Sequence, residues 1–203
     1  MIRSLSVVFS LGLSSFSQGT VLLFDPADVG FYSTGRTITH EIDLDSDGIN
    51  DLQLRSNRAD FGIFSLQDNT SVAVFLTGGN DLGGNSLPYI AGDTIGADLP
   101  NPAQWFTSML GGGSANIISC RDIGCIGNWR GGVNYAGIRI EDEQGNFRYG
   151  WLEIDAQISL ATGGVLTRYA FETETNKAIT VIPEPSSTLL FSLTLPILLL
   201  RRR

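Results

Sequence analysis

The sequence is poor in the residues from which metal clusters and nucleic-acid surfaces are commonly built. Its 203 residues include one histidine, two cysteines and a single lysine, Lys177. Charged residues make up 17% of the chain, and the formal net charge is −8. An acidic surface repels phosphate backbones, so we expect no nucleic-acid partner. The apolar content of 42% excludes a wholly disordered chain, and the length suits one good-sized domain or two small ones.

The N-terminus has the order of a secretory signal peptide. Arg3 precedes an uncharged, mainly apolar run, and small residues follow between Ser14 and Gly19. Such a run is too short to serve as a stable membrane anchor. We therefore predict a signal peptide over residues 1–19, outside the fold, with a buried first strand or helix as the alternative.

Three elements follow one another at the C-terminus: a Pro-Glu-Pro triplet, an uncharged apolar stretch over residues 186–200, and an arginine cluster. The triplet and the cluster consist of Pro183, Glu184, Pro185, Arg201, Arg202 and Arg203. The apolar stretch is shorter than the ~20 residues of a full bilayer crossing. Because positive residues at one end favour the cytoplasmic side, the pattern predicts a short transmembrane helix with the bulk of the chain outside the cytoplasm.

This order resembles the PEP-CTERM sorting signal of Gram-negative bacteria, over Val181 to Arg203 only. The resemblance implies a sorting signal over residues 183–203. It also implies an exosortase-type protease as partner, and attachment to the membrane through the C-terminal helix before processing. The expected location is the cell envelope, cell surface or extracellular matrix. The family usually belongs to bacteria that make extracellular polysaccharide. The resemblance implies a route of export and not an activity of the domain.

The body of the chain alternates apolar and polar residues, as half-buried strands do. The clearest runs are 37–44, 71–76 and 136–141, and Gly-rich turns separate them. We predict an all-β fold: a single antiparallel β-sandwich or jelly-roll-like domain over residues 20–182. Late in the chain, 138–142, 147–158 and 164–172 should form a meander of three strands. A short helix is expected over 102–110, after Pro102.

The best chemical motif is an Asp-rich loop with the spacing of a calcium-binding sequence. Its candidate ligands are the carboxylates of Asp43, Asp45, Asp47 and Asp51 and the backbone carbonyl of Ile49. Ca²⁺ requires six to eight oxygen ligands, and alternate side chains of a tight loop can supply them. The loop departs from an EF-hand because position 12 is Leu54 rather than Glu, and no flanking helices are evident. The alternative is an acidic turn without metal.

Cys120 and Cys125 are separated by four residues. In an exported chain this spacing predicts a disulfide that closes a small loop. Two cysteines cannot form a zinc site alone, and a redox motif would have two intervening residues.

Other residue patterns have a structural and a catalytic interpretation. His40 lies on an alternating strand, and no nucleophile motif accompanies it. Glu153 and Asp155 share a strand face with Tyr149 and Trp151, as glycosidase carboxylates and ordinary strand residues both do. The three tryptophans could stack on sugars, although core packing is the simpler interpretation. The sequence therefore favours an exported, non-enzymatic surface or matrix protein with calcium as a candidate ligand, whose domain either binds extracellular polysaccharide or simply contributes to the envelope. The alternative is a carbohydrate-active hydrolase or lectin that uses the acidic and Trp residues.

Overall fold

The computed structural model of the protein describes residues 20–33, 35–57, 59–76, 83–107, 114–121, 124–129, 131–157 and 163–182. These residues form strands and loops, with no helix among them. The strands are β1 (Val21–Phe24), β2 (Val29–Tyr32), β3 (Ile38–Ile42), β4 (Leu52–Ser56), β5 (Asp60–Ser65), β6 (Thr70–Leu76), β7 (Gly83–Ser86), β8 (Pro88–Tyr89), β9 (Thr94–Ile95), β10 (Gln104–Phe106), β11 (Ser114–Arg121), β12 (Gly124–Ile126), β13 (Gly132–Glu141), β14 (Phe147–Gln157), β15 (Gly163–Glu172) and β16 (Ile179–Thr180).

Fourteen of these strands belong to one large, curled sheet that resembles half a barrel. Its main path runs β1-β15-β14-β13-β6-β7-β11-β5-β4-β3. The all-β prediction is confirmed, but the sheet is mixed rather than purely antiparallel, because β7 and β11 pair in parallel. The predicted sandwich of two facing sheets is not confirmed, since the second sheet consists of β9 and β16 alone among the described residues.

Alternation along the strands produces two apolar faces. In β14, Leu152, Ile154 and Ala156 enter the main core, which lies on the inner side of the curl. Tyr149 and Trp151 point to the opposite face and enter a second core. Successive strand side chains point to opposite faces, so a strand covered on both sides must be apolar at nearly every position. This explains why β14 is richer in apolar residues than a half-exposed strand.

The second core is covered by two segments rather than by another sheet. Leu87, Tyr89 and Ile95 come from the segment that follows β7, and Ile179 and Val181 come from the end of the described chain. Backbone hydrogen bonds join the two segments, from Gly92 N to Val181 O and from Val181 N to Asp93 O, at 2.9 Å each.

The curl brings the two ends of the sheet together. Phe31 of β2 stacks on Phe61 of β5 with ring centroids 5.6 Å apart. His40 of β3 meets the edge of the same Phe31 ring at 6.2 Å. The lone histidine is therefore a half-buried packing residue.

The predicted meander is confirmed, with β13, β14 and β15 paired as consecutive antiparallel strands. The predicted helix over 102–110 is wrong in its described part. Gln104–Phe106 pairs with β6, and Trp105 packs against the second core. A two-turn helix is marginal by itself, so the sheet partner and the burial of Trp105 override the local signal.

Residues 1–19 and 183–203 lie outside the described residues, and with them the predicted signal peptide and sorting signal. Within the part of the chain that the structure describes, no helix is long and apolar enough to cross a membrane.

Candidate metal centre

The Asp-rich loop connects β3 to β4 and is organised by its own carboxylates. Asp43 accepts hydrogen bonds from the backbone N–H groups of Asp47, at 3.2 Å, and Gly48, at 2.9 Å. Ser46 and Gly48 both have positive φ, at 62° and 90°. Short Asp side chains that bond nearby backbone donors stabilise such turns, and glycine adopts positive φ without steric cost. The Asp-x-Asp-x-Asp-Gly sequence therefore folds back on itself.

The loop brings three carboxylates together. Oxygen atoms of Asp43, Asp45 and Asp51 all lie within 4.8 Å of one another. Asp51 stands directly before β4, and its backbone N–H donates to the Ile42 carbonyl at 2.8 Å, which closes the base of the loop. Three carboxylates offer up to six oxygens, the ligand type that hard divalent cations prefer. This cluster can hold a metal ion.

Asp51 is the most buried member of the cluster, at 5% exposure. Its Oδ2 accepts a hydrogen bond of 2.8 Å from Leu44 N. The pKa of Asp51 is raised to about 6, chiefly by burial. The Leu44 hydrogen bond lowers the pKa, and the nearby charges of Asp45, Asp47 and Asp43 raise it. The loop thus holds a carboxylate in a place where its negative charge is poorly compensated by the protein itself.

Asp45 is compensated on one oxygen only. Its Oδ2 forms an ion pair of 2.8 Å with Arg148 at the start of β14. Its Oδ1 is buried and has no hydrogen-bond partner. The guanidinium of Arg148 also lies over the ring of Phe171, 5.3 Å from the centroid, so the arginine is held in place from two sides.

An open cleft of about 560 Å³ lies in front of the cluster. The Asp-rich loop forms one wall, and the turns after β5 and β13 form the other. Seven carboxylates line it: Asp45, Asp47, Asp51, Asp68, Glu141, Asp142 and Glu143. Arg148 is the one basic residue among the described residues of the lining. The cleft therefore favours a cation.

The other two predicted ligands lie outside the three-carboxylate cluster. Asp47 Oδ1 accepts a hydrogen bond of 2.7 Å from Ile49 N. The Ile49 side chain is 55% exposed at the tip of the loop. Coordination by Asp47 and by the Ile49 carbonyl stays a prediction. Arg148 could not be found from the sequence motif, because 103 residues separate it from Asp45.

Glu153 has surroundings of the opposite kind. A β-bulge between β14 and β15 leaves Thr167 without a cross-strand partner of its own, and both Thr167 and Arg168 reach the Glu153 carboxylate. Thr167 Oγ1 donates to Oε1 at 2.6 Å, and Arg168 donates to Oε2 from Nε at 2.9 Å and from Nη2 at 2.6 Å. A bulge changes the direction of a side chain in this way.

The charge of Glu153 is therefore compensated within the fold. Burial raises the pKa of Glu153, but hydrogen bonds from Arg168, Thr167 and Tyr135 outweigh it and hold the pKa below its usual range. A general acid needs a raised pKa, so this residue is unsuited to that part of a glycosidase mechanism. Its neighbours Tyr149 and Trp151 are buried in the second core, at 1% and 2% exposure, and present no sugar-stacking surface.

The two cysteines are cross-strand partners. Cys120 of β11 and Cys125 of β12 are opposite each other in an antiparallel ladder. Directly opposite residues have Cβ atoms ~4.5–5.5 Å apart, close to the separation that a disulfide needs. The register is compatible with the predicted disulfide, and the bond itself stays a prediction. The sorting motif, Pro183 to Arg203, lies outside the described residues.

No protein-family model, no curated protein and no solved structure matches the chain. The candidate site therefore rests on its own geometry.

Proposed function

We propose that the protein is an exported, non-enzymatic surface or matrix protein whose Asp-rich loop binds Ca²⁺. The observation that carries the metal part is the cluster of Asp43, Asp45 and Asp51, with one member buried and its pKa raised to about 6. Ca²⁺ suits this site better than Zn²⁺, because the cluster offers carboxylate oxygens without Cys or His. It suits it better than Mg²⁺, because an irregular loop beside an open cleft does not impose strict octahedral geometry.

The expected role of the ion is to fix the loop against the β13–β14 hairpin. Arg148 already joins the two, through Asp45 Oδ2. A bound cation would take the oxygens that face one another inside the loop and remove their mutual repulsion. We expect a weak site, in the range of 10⁻⁴–10⁻³ M that is typical of extracellular modules.

Calorimetry on the full-length protein tests this role. At about ten times the dissociation constant, Ca²⁺ should add about 1.4 kcal/mol of stability, which corresponds to a melting-temperature rise of about 3–5 °C. Mg²⁺ should produce a smaller rise. Asp45→Asn should remove most of the calcium effect, whereas Asp68→Asn, at an exposed residue on the other wall of the cleft, should keep it. An equal calcium shift in the Asp45→Asn variant, or none in the parent, would leave only an acidic turn.

The proposed route of export depends on the two ends of the chain. Support comes from the signal-peptide order of residues 1–19 and from the sequence over 183–203. In this proposal an exosortase-type protease recognises the Pro-Glu-Pro triplet of the membrane-attached chain and delivers the domain to the envelope, surface or matrix of a Gram-negative bacterium.

Two variants separate anchoring from processing. Deletion of residues 183–203 should move the protein from the membrane fraction to the periplasm or medium. Replacement of Pro183, Glu184 and Pro185 by Ala should leave the anchor and abolish the processing, so that unprocessed chain accumulates in the membrane. A deleted chain that fractionates with the membrane as the parent does would contradict the anchor.

A further inference from the structure

A second depression lies on the outer face of the sheet, across β4, β5 and β11. Its volume is about 320 Å³. Arg55, Gly62 and Asn116 are consecutive cross-strand partners, so the three residues form one row across the depression. Gly62 leaves the middle of the row without a side chain. A Cβ at this position would lie 3.2 Å from both Ala115 O and Asn116 Oδ1, which shows how close the floor is.

Arg55 supplies a cation that the fold does not use for an ion pair. Its Nε is buried and has no hydrogen-bond partner. Within the described residues, Arg148 and Arg168 form ion pairs, whereas Arg55 forms none. Its guanidinium lies 5.5 Å from the centroid of the Phe64 ring, which limits its movement. Desolvated donors without a partner are costly, so a ligand that accepts from this guanidinium would gain binding free energy.

The remaining groups around the depression are hydrogen-bonding groups held in place by their neighbours. Asp60 Oδ1 accepts from Ser119 Oγ at 2.6 Å. Ser114 Oγ donates to Asn116 Oδ1, also at 2.6 Å, and this bond fixes the orientation of the Asn116 amide. In the described part of the chain, the Nδ2 donors of Asn116 have no partner. Donors and acceptors of this kind pair with hydroxyl groups.

We propose that this depression binds a sugar acid, a polyhydroxylated ring that carries one carboxylate. The planar guanidinium of Arg55 matches a carboxylate, Asn116 and Asp60 match hydroxyls, and Phe64 offers an apolar surface beside them. The volume is near the lower end of the range for ligand pockets and suits one ring rather than a long chain. This inference rests on the proposed function as a surface or matrix protein and names the class of ligand. It does not depend on metal binding by the Asp-rich loop.

A titration of the full-length protein with sodium D-glucuronate tests the site. NMR signals of the side-chain amide groups are recorded at each glucuronate concentration. The Asn116 amide should shift and saturate. Glucose should bind at least about tenfold more weakly, because it lacks the carboxylate that would form a charged hydrogen bond with the Arg55 guanidinium. Sulfate should not displace glucuronate at equal concentration, because it lacks hydroxyls for Asn116 and Asp60.

Variants locate the effect. Arg55→Gln should weaken glucuronate binding at least about tenfold. Arg55→Lys keeps the charge but loses the planar fork, and should bind with intermediate affinity. Arg36→Gln removes one positive charge from an exposed position outside the depression and should bind as the parent does.

Three results would overturn the inference: no saturable glucuronate binding, equal affinity for glucose or sulfate, or unchanged affinity in Arg55→Gln. Asp45→Asn separates this site from the proposed calcium site, because it should lose the calcium effect and keep glucuronate binding. If calcium still stabilises the parent and glucuronate does not bind, the sugar-acid site fails and the calcium proposal stands.

Discussion

Asp51 and Glu153 are equally buried, at 5% and 6% exposure, yet their surroundings are opposite. Asp51 lies beside three other carboxylates, which together with burial raise its pKa to about 6. Glu153 receives hydrogen bonds from Arg168 and Thr167, and its pKa is held below the usual range. Arg168 forms an ion pair with Glu153 itself, whereas the cation of the other region, Arg148, forms its ion pair with Asp45 and not with Asp51.

The difference distinguishes a structural carboxylate from a candidate ligand. A buried ion pair with complete hydrogen bonds satisfies both charges, so the Glu153–Arg168 pair leaves no requirement for an external partner. A group of like charges raises the free energy of the folded state until protons or a cation neutralise it. Removal or neutralisation of one charge at a time should therefore affect the two regions differently.

The largest effect is expected from Glu153→Gln. It leaves the Arg168 cation buried without its counter-charge, which should cost about 3–5 kcal/mol in the free energy of unfolding. Urea unfolding of the full-length protein measures the loss. Asp51→Asn is the matched control, since it also removes a buried carboxylate; without calcium it should be neutral or stabilising. Equal losses in the two variants would end the contrast between the two regions.

The next effect is the pH dependence of the metal-free protein. Because the folded-state pKa of Asp51 lies above the unfolded value of 3.8, the folded state binds its proton more tightly. The stability due to Asp51 is therefore fully present below about pH 4 and is lost as the pH rises through about 6, by up to about 3 kcal/mol.

Glu153 has the opposite dependence, because its folded-state pKa is lowered: its contribution is lost as the pH falls below the usual range of a Glu. The contribution of Asp51 is the difference in the free energy of unfolding between the parent and Asp51→Asn. It is measured by thermal unfolding between pH 4 and 7 in the presence of a chelator. A difference that is flat across this range would contradict the raised pKa. Calcium should cancel the difference at pH 7.

The smallest effect is expected from Arg148→Gln. It removes the only cation in the described lining of the acidic cleft and should destabilise the metal-free protein by about 1 kcal/mol, the value of a partly exposed ion pair. The loss should shrink in excess calcium, because the ion then neutralises Asp45 instead. A loss of the same size with and without calcium would show that Arg148 acts through packing on Phe171 alone.

Local sequence patterns correctly predicted several strands, one hairpin and the Asp-rich loop. Alternation identified β3, β6 and β13, and the turn sequence identified the β13–β14 hairpin, because strand polarity and turn chemistry are both local properties. The Asp spacing identified the loop and all three members of the cluster, because alternate side chains of a tight turn can point to one side, but the same spacing also included Asp47, which lies outside the cluster.

Long-range pairings could not be predicted in this way. The parallel pairing of β7 with β11 changes the sheet from antiparallel to mixed, and no local residue pattern records it. The sequence of the β10 segment resembles the start of a helix, but in the structure its backbone pairs with β6. Arg148 and the Gly62 depression likewise depend on strands that are distant in sequence. The ion pair between Arg148 and Asp45 can therefore be found only from the three-dimensional structure.

The pairing of β1 and β2 with β15 has a consequence for the order in which the chain acquires its structure. Both β1 and β2 pair with β15, and Thr20 N donates to Thr173 Oγ1 across 153 residues of sequence. Pairings between residues so distant in sequence form slowly, because the entropy of closing a long loop is lost before the stabilising contacts form. The first strands to be synthesised must wait for the last long strand to emerge. A chain of this topology can therefore complete its sheet only after β15 has been synthesised, so that β1 and β2 lack their native partner during most of synthesis.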